Sequence, residues 1–321
     1  MAVFSFAIVA GFILLVLSAD RFVHGAAGLA RNFGLSPLVI GLTIVAFGTS
    51  APEILVTGIA AWQGNTGIGV GNAIGSNIAN VGMVIGATAI LLPLSVQSET
   101  MRREFPILFA IMLVALVLLV DGTLSIVDGA ILMGGMVILT YWLVTLGRRS
   151  RVTDPIGNEY EEEIPKGMPT RKAVLLLVIG LVVLLASSEL VVWAAVGLAR
   201  EFGVSDLVIG LTIVAIGTSL PELATSIVSA IKKEHDIAIG NILGSNMFNL
   251  LAVLSLPGLM GPQAVEPAVL TRDMPFMIAL TLVLFAMSYG FGRAGTVGRF
   301  KGLLLFTAFI AYQLNLYKGW I

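Results

Sequence analysis

The sequence has no cysteine and only two histidines in 321 residues. Disulfides, thiol nucleophiles and thiolate metal sites are therefore excluded. His24 and His235 share no ligand spacing. Charge is scarce too. Asp, Glu, Lys and Arg together make up 12% of the chain, and the formal net charge of −1 singles out no acidic or basic partner. What remains is apolar: 57% of residues are hydrophobic and the mean hydropathy is +1.00. A water-soluble domain has no way to cover that much apolar surface, so the composition is that of an integral membrane protein.

The apolar runs are long enough to cross about 30 Å of hydrocarbon as helices, and they lack the strict alternation of barrel strands. The expected fold is all-α with ten spans, near 2–23, 36–62, 68–93, 104–120, 125–147, 172–195, 205–231, 237–260, 273–290 and 300–318. The first of these has no basic n-region and no clear cleavage site, so it reads as a retained span. One polar connection, residues 148–171, carries Arg148, Arg149, Arg151, an acidic run from Glu159 to Glu163 and three prolines. It divides the chain into residues 1–147 and 172–321.

These halves are copies of one another. Shifting the sequence by 169 residues (180 − 11) lays Gly11 on Gly180 and Pro106 on Pro275 without a gap. Within that alignment GLTIVAFGTSAPEI (41–54) meets GLTIVAIGTSLPEL (210–223), identical at 11 of 14 positions. GNAIGSNIAN (71–80) meets GNILGSNMFN (240–249), identical at 6 of 10. Two five-span units joined in series cross the bilayer in opposite senses, because five is odd, giving an inverted repeat. The basic residues agree. With both termini outside and the 148–171 loop cytoplasmic, all Lys and Arg except Arg200, Arg272 and Lys318 fall inside, 15 of 18,. Arg103 and Arg272 are repeat equivalents that land on opposite faces, as inversion requires.

Almost all of the nineteen acidic residues lie at span ends or in loops. Glu53 and Glu222 lie inside apolar spans, where a lone carboxylate costs at least a few kcal/mol on insertion scales. Each follows a Gly-Thr-Ser tripeptide and a proline: Gly48-Thr49-Ser50-Ala51-Pro52-Glu53 and Gly217-Thr218-Ser219-Leu220-Pro221-Glu222. Proline removes an amide donor and crowds the preceding turn, and glycine loosens it. A broken helix is expected, with freed carbonyls around 46–49 and 215–218. Thr49 and Glu53 share a helical face, as do Thr218 and Glu222, Ser76 and Asn80, and Ser245 and Asn249. Gly71, Gly75, Gly240 and Gly244 provide small-xxx-small spacing for close helix approach. Pseudo-symmetry brings the four segments together as a cage of carboxylates, amides, hydroxyls and carbonyls. Hard cations such as Ca²⁺ and Na⁺ take such oxygens.

The paired G-T-S-x-P-E and G-S-N-x-x-N motifs resemble the α-repeats of the sodium/calcium exchanger branch of the cation/calcium exchanger superfamily, closest to small bacterial inner-membrane calcium/sodium antiporters. The resemblance covers essentially the whole chain. It implies two sliding helices packed against an eight-helix core, and exchange of Na⁺ for Ca²⁺ by alternating access. It places a cation site at Glu53, Glu222 and the Thr49 and Thr218 carbonyls. Overlapping sodium sites would use Ala46, Ser50, Ser76, Ala215, Ser219 and Ser245. Several exchangers of this type carry aspartate where this chain has Asn80 or Asn249, so only two carboxylates serve the expected cage. The resemblance implies no cofactor, no nucleic acid and no protein partner, only the transported ions and membrane lipid.

Other readings stay open. A proton/divalent-cation exchanger could use the same two glutamates, although the G-N-x-x-E context of the proton-coupled branch is missing from GNAIG and GNILG. An intramembrane enzyme would need an acid–base pair, but the chain lacks a nucleophile and His or Cys ligands, and its half-sites are nearly identical. The serines and asparagines also suit plain helix–helix glue. Asp20 is expected to pair locally with Arg21, Asp121-Gly122 and Asp128-Gly129 to form turns, and Trp62, Trp142 and Trp320 to anchor at the interface.

Overall fold

The computed structural model describes residues 2–35, 37–62, 66–96, 98–149, 168–201, 215–289 and 295–318. Most of the expected polar connection, including Glu159 to Glu163, lies outside the described residues, as do residues 205–214 and Trp320. The chain is helical almost throughout. The first half contains α1 (Ala2–Phe33), α2 (37–49, with a π-helical stretch at Gly41–Val45), α3 (Ala51–Trp62), α4 (66–91, π-helical at Asn80–Ile85), α5 (Ser98–Leu119) and α6 (Ile126–Arg149). The second contains α7 (Thr170–Glu201), α8 (Ala215–Thr218), α9 (Leu220–Ile231), α10 (His235–Met260, π-helical at Asn249–Val253), α11 (Val269–Ser288) and α12 (Arg299–Lys318). Among the described residues, six helices are long and apolar enough to span a membrane, and α2 with α3 forms a further, bent pair.

Element boundaries recur at the offset read from the sequence. Ala51–Trp62 plus 169 is Leu220–Ile231, and Asn80, where one π-stretch begins, becomes Asn249, where another begins. Four short strands join the halves: β1 (Leu94–Val96) pairs antiparallel with β4 (Gly295–Val297), and β2 (Thr123–Leu124) with β3 (Gln263–Ala264). Each pair takes one strand from either half.

Helices α1 and α7 have 32 residues each, about 48 Å at 1.5 Å per residue, well beyond the hydrocarbon thickness. They lie against each other because glycines remove side chains at the crossing. A Cβ on Gly25 would stand 2.5 Å from the Leu177 amide nitrogen, and one on Gly180 would stand 2.6 Å from that of Phe22,. With Leu220, Ala224 and Val228 of α9 they bury their own apolar cluster. A larger cluster unites α4, α5, α6, α10, α11 and α12. Val3, Phe6, Val9 and Ile13 of α1 and Val137 and Ile138 of α6 are exposed on the outside, as lipid-facing positions are.

Two other acidic residues within the helices are paired. Glu104 is fully buried with Arg103 at 2.9 Å, and its repeat equivalent Asp273 holds Arg272 at 2.7 Å and accepts from the Tyr312 hydroxyl at 2.8 Å. The Arg103 guanidinium also lies over the Trp142 ring, 5.9 Å from its centroid,. Asp20 keeps the expected local pair with Arg21 and adds a closer partner. Its shortest contact is Lys232 at 2.8 Å, at the far end of α9, with Arg21 at 3.9 Å. Helix packing brings Lys232 closer than the sequence neighbour can bend. Asp121 caps the β2 turn through the Thr123 amide, with Gly122 at φ 77°. Asp128 and Ser125 exchange hydrogen bonds at the start of α6,.

Candidate functional site

Both Gly-Thr-Ser-x-Pro-Glu segments break their helices after threonine. Ser50 (φ −82°, ψ 8°) and Ser219 (φ −88°, ψ 5°) leave the helical region, and residues 41–49 and 51–62 meet at 50°. Pro52 and Pro221 then sit in the first turn of the new helix, where a missing amide costs nothing. Glu53 and Glu222 follow one position later, near helix N-termini whose dipoles favour negative charge. The break also corrects the expected set of freed carbonyls. Ala46 O is not free, since it accepts from the Ser50 amide at 3.0 Å and the Thr49 hydroxyl at 3.4 Å. The carbonyls that lose their i+4 amide to proline are Gly48 and Gly217.

The Gly217 carbonyl is satisfied by the Ser188 hydroxyl of α7 at 3.0 Å. The equivalent of Ser188 beside Gly48 is Ala19, which has no donor. Ser188→Ala should therefore strand a buried carbonyl and cost about 1–3 kcal/mol. A fall in thermal stability in detergent, restored by Ser188→Thr, checks this; an unchanged melting curve would show the bond to be idle.

The two carboxylates lie close enough for their charges to interact. Both residues are fully buried. Glu222 Oε1 accepts from Ser50 Oγ at 3.2 Å and Ser245 Oγ at 3.4 Å. Thr49 Oγ1 donates to Asn241 Oδ1 at 3.0 Å and lies 3.5 Å from Ser245 Oγ. Thr218 and Ser76 stand beside Glu53 as the mirror-image set, yet both Glu53 oxygens have no hydrogen-bond partner. Glu222 Oε2, Ser219 Oγ, Asn80 Oδ1 and both polar atoms of Asn249 are likewise unpartnered, in residues with no solvent exposure. Ala46, packed beside the cage, abuts Gly244 of α10. Of Ala215 only the backbone is described.

The structure thus brings Ser50 and Ser245 to Glu222, Thr49 to Ser245, and Thr218 and Ser76 to Glu53, while Ser219, Asn80 and Asn249 are fully buried. It also adds residues that the sequence reading passed over. Asn80 Nδ2 donates to Asn246 Oδ1 at 3.1 Å. Asn72 Nδ2 donates to the Glu53 carbonyl at 3.2 Å and to Thr57 Oγ1 at 3.0 Å. Asn241 and Asn246, with their equivalents Asn72 and Asn77, are identical in both copies of the second motif. That identity was the available signal, and attention to the Ser76–Asn80 face alone missed it. Among the described residues no three His, Cys, Asp or Glu side chains cluster as a metal site. The centre is two carboxylates amid hydroxyls and amides.

Apolar helices interrupted around a buried cage of oxygens define a membrane transporter. The comparisons give the family. The sequence profile of the family described as sodium/calcium exchanger protein matches residues 4–145 and again 172–318. CaxA of Alkalimonas amylolytica is 49% identical over 312 residues, covering 97% of this chain and 98% of that protein. The inner membrane protein YrbG of Escherichia coli is 40% identical over 314 residues, covering 97% and 95%. A solved structure of the sodium-calcium exchanger NCX_Mj superposes with a TM-score of 0.84 at 32% identity, covering 98% of this chain and 100% of that one. The chain belongs to the sodium/calcium exchanger protein family. It is a membrane cation exchanger, not an enzyme.

Proposed function

We propose that this protein is a secondary active antiporter that exchanges Na⁺ for Ca²⁺ at one shared mid-membrane site, by alternating access between two inverted five-span repeats. The observation that carries this reading is the set of buried oxygens left without donors. A buried carboxylate with no hydrogen-bond partner is costly, and a hard cation with oxygen ligands removes the cost. Calcium would take the Glu53 and Glu222 carboxylates with the Thr49 and Thr218 carbonyls. Sodium would overlap it through Ser50, Ser76, Ser219, Ser245 and the backbone of Ala46 and Ala215, with Asn80 and Asn249 closing the cage. The break at Ser50 and Ser219, the recurrence of elements at one offset and the strand pairs joining the halves support a pseudo-symmetric carrier. Ten spans, external termini, a cytoplasmic 148–171 loop and the bacterial inner membrane belong to the same reading.

Coupling follows from charge. Two facing carboxylates with no counter-ion oppose closure of a dry site, and a bound cation load relieves the repulsion, so the loaded carrier is the one that switches sides. Because Asn80 and Asn249 are neutral, two negative charges match one Ca²⁺. A proton-coupled exchange through the same glutamates is the second reading, favoured by the absence of a third carboxylate. Calcium uptake into proteoliposomes preloaded with sodium, beside matched vesicles holding only a pH gradient, separates the two. Uptake that requires internal sodium is expected. Uptake driven by the pH gradient alone would replace sodium with protons.

A further inference from the structure

Helix α9 has two unlike faces. Leu220, Ala224 and Val228 pack against α1 and α7 in the apolar cluster of the long helices. On the other face Glu222, Thr225, Ser226 and Ser229 follow one another at helical spacing. All four are buried to 1% exposure or less. Ser226 accepts from Asn241 Nδ2 of α10 at 3.4 Å. Among the described residues the hydroxyls of Thr225 and Ser229 have no hydrogen-bond partner. Thr88, Ser219 and Ser288 share that state among the described residues, but several other helical hydroxyls do not. Ser18, Thr140, Ser187 and Thr281 each satisfy their hydroxyl on a carbonyl three or four residues back, the usual resolution for such residues in a helix. From Glu222 to Lys232, just past the helix end, is ten residues, about 15 Å of helical rise and about half the hydrocarbon thickness. The stripe therefore reaches from the central cage to one end of the protein. The first half keeps only part of the stripe: Thr57 matches Ser226, but Val56 and Ala60 stand where the second half has Thr225 and Ser229.

We infer that this face of α9 is a cation route, with Thr225 and Ser229 supplying successive hydroxyl oxygens between Glu222 and the Lys232 end. The inference rests on the exchanger reading above. An ion leaving water for the cage sheds hydration gradually, and hydroxyls spaced one turn apart replace water ligands along the way. A closed route leaves those oxygens buried and idle, as Thr225 and Ser229 are. The apolar Val56 and Ala60 give the opposite approach no such lining, so the two faces of the carrier differ in apparent affinity.

The absence of cysteine makes the test clean. Thr225→Cys, Ser229→Cys and Val228→Cys are each reconstituted in liposomes and treated with a small, charged, membrane-impermeant thiol reagent from one side at a time, with Lys232→Cys marking the side. Thr225→Cys and Ser229→Cys should react from the Lys232 side only, and Val228→Cys, on the apolar face at the same depth, from neither. In parallel, Thr225→Val and Ser229→Ala should raise the calcium concentration for half-maximal exchange about three- to tenfold on the Lys232 side, the loss of one hydroxyl partner, and leave the other side unchanged. Failure of both cysteines to react in vesicles that still exchange would overturn the route, as would equal reaction of Val228→Cys. Labelling does not depend on which ion is carried. A failed sodium/calcium assay with the labelling pattern intact would therefore count against the exchange reading and not against the route.

Discussion

Glu53→Gln should abolish ion exchange while leaving the protein folded. Glu53 is fully buried, and among the described residues neither of its carboxylate oxygens has a hydrogen-bond partner. A structural role would demand partners, because a lone buried carboxylate destabilises the fold. Glutamine keeps the shape and removes the charge, so the empty protein should lose no stability. It should instead lose about 3–5 kcal/mol of ion binding, the usual consequence of removing one partner of a buried charge pair. That is at least a hundredfold in affinity. Glu222→Gln should also abolish exchange, with a different cost to the fold. Its Oε1 accepts from Ser50 and Ser245, and a glutamine amide flipped toward those hydroxyls would break the pattern. Uptake assays in proteoliposomes read the first effect. Thermal unfolding in detergent with and without calcium reads the second, since calcium should stabilise the parent protein by mass action and neither variant. Normal exchange by Glu53→Gln would remove the central carboxylates from the mechanism.

Gly244→Val should damage the packing and the cage together. In α10 an added Cβ would come within 2.6 Å of Ala46 Cβ, 2.7 Å of Leu42 O and 2.9 Å of Leu42 Cα. Two of those three atoms are backbone, which has no rotamer to yield. The crossing of α2 over α10 carries Thr49 and Ser50 to Asn241, Ser245 and Glu222, so forcing the helices apart would open the cage as well as the packing. Overpacking of this kind costs about 1–3 kcal/mol, occasionally more. The expected result is a lowered unfolding temperature together with lost calcium stabilisation. Gly58→Ala is the comparison: among the described residues its new methyl meets only Leu256 Cδ1, at 3.9 Å, and both properties should survive. If Gly244→Val melted and bound like the parent, the close approach of α2 and α10 would not be what shapes the site.

Much of this was readable from the chain itself. Apolar composition placed the helices in a membrane, since nothing else can cover that surface. Glycine and proline determined where α2 gives way to α3 and α8 to α9, because an absent amide and an absent side chain act within one turn and need no tertiary partner. The duplication placed Glu53 and Glu222 in matching backgrounds and brought in the second motif of each half. What the chain alone left undecided was every contact made across helices. That Ser50 serves Glu222 and not Glu53, that Asn80 bonds Asn246 while Asn249 bonds nothing, that Ser188 caps Gly217, and that Asp20 reaches past Arg21 to Lys232 all depend on how closely one helix approaches another. That approach is set by glycines acting against residues far away in sequence. A duplicated sequence predicts two equal half-sites. The folded chain makes them unequal, because one carbonyl finds a serine where its twin finds an alanine.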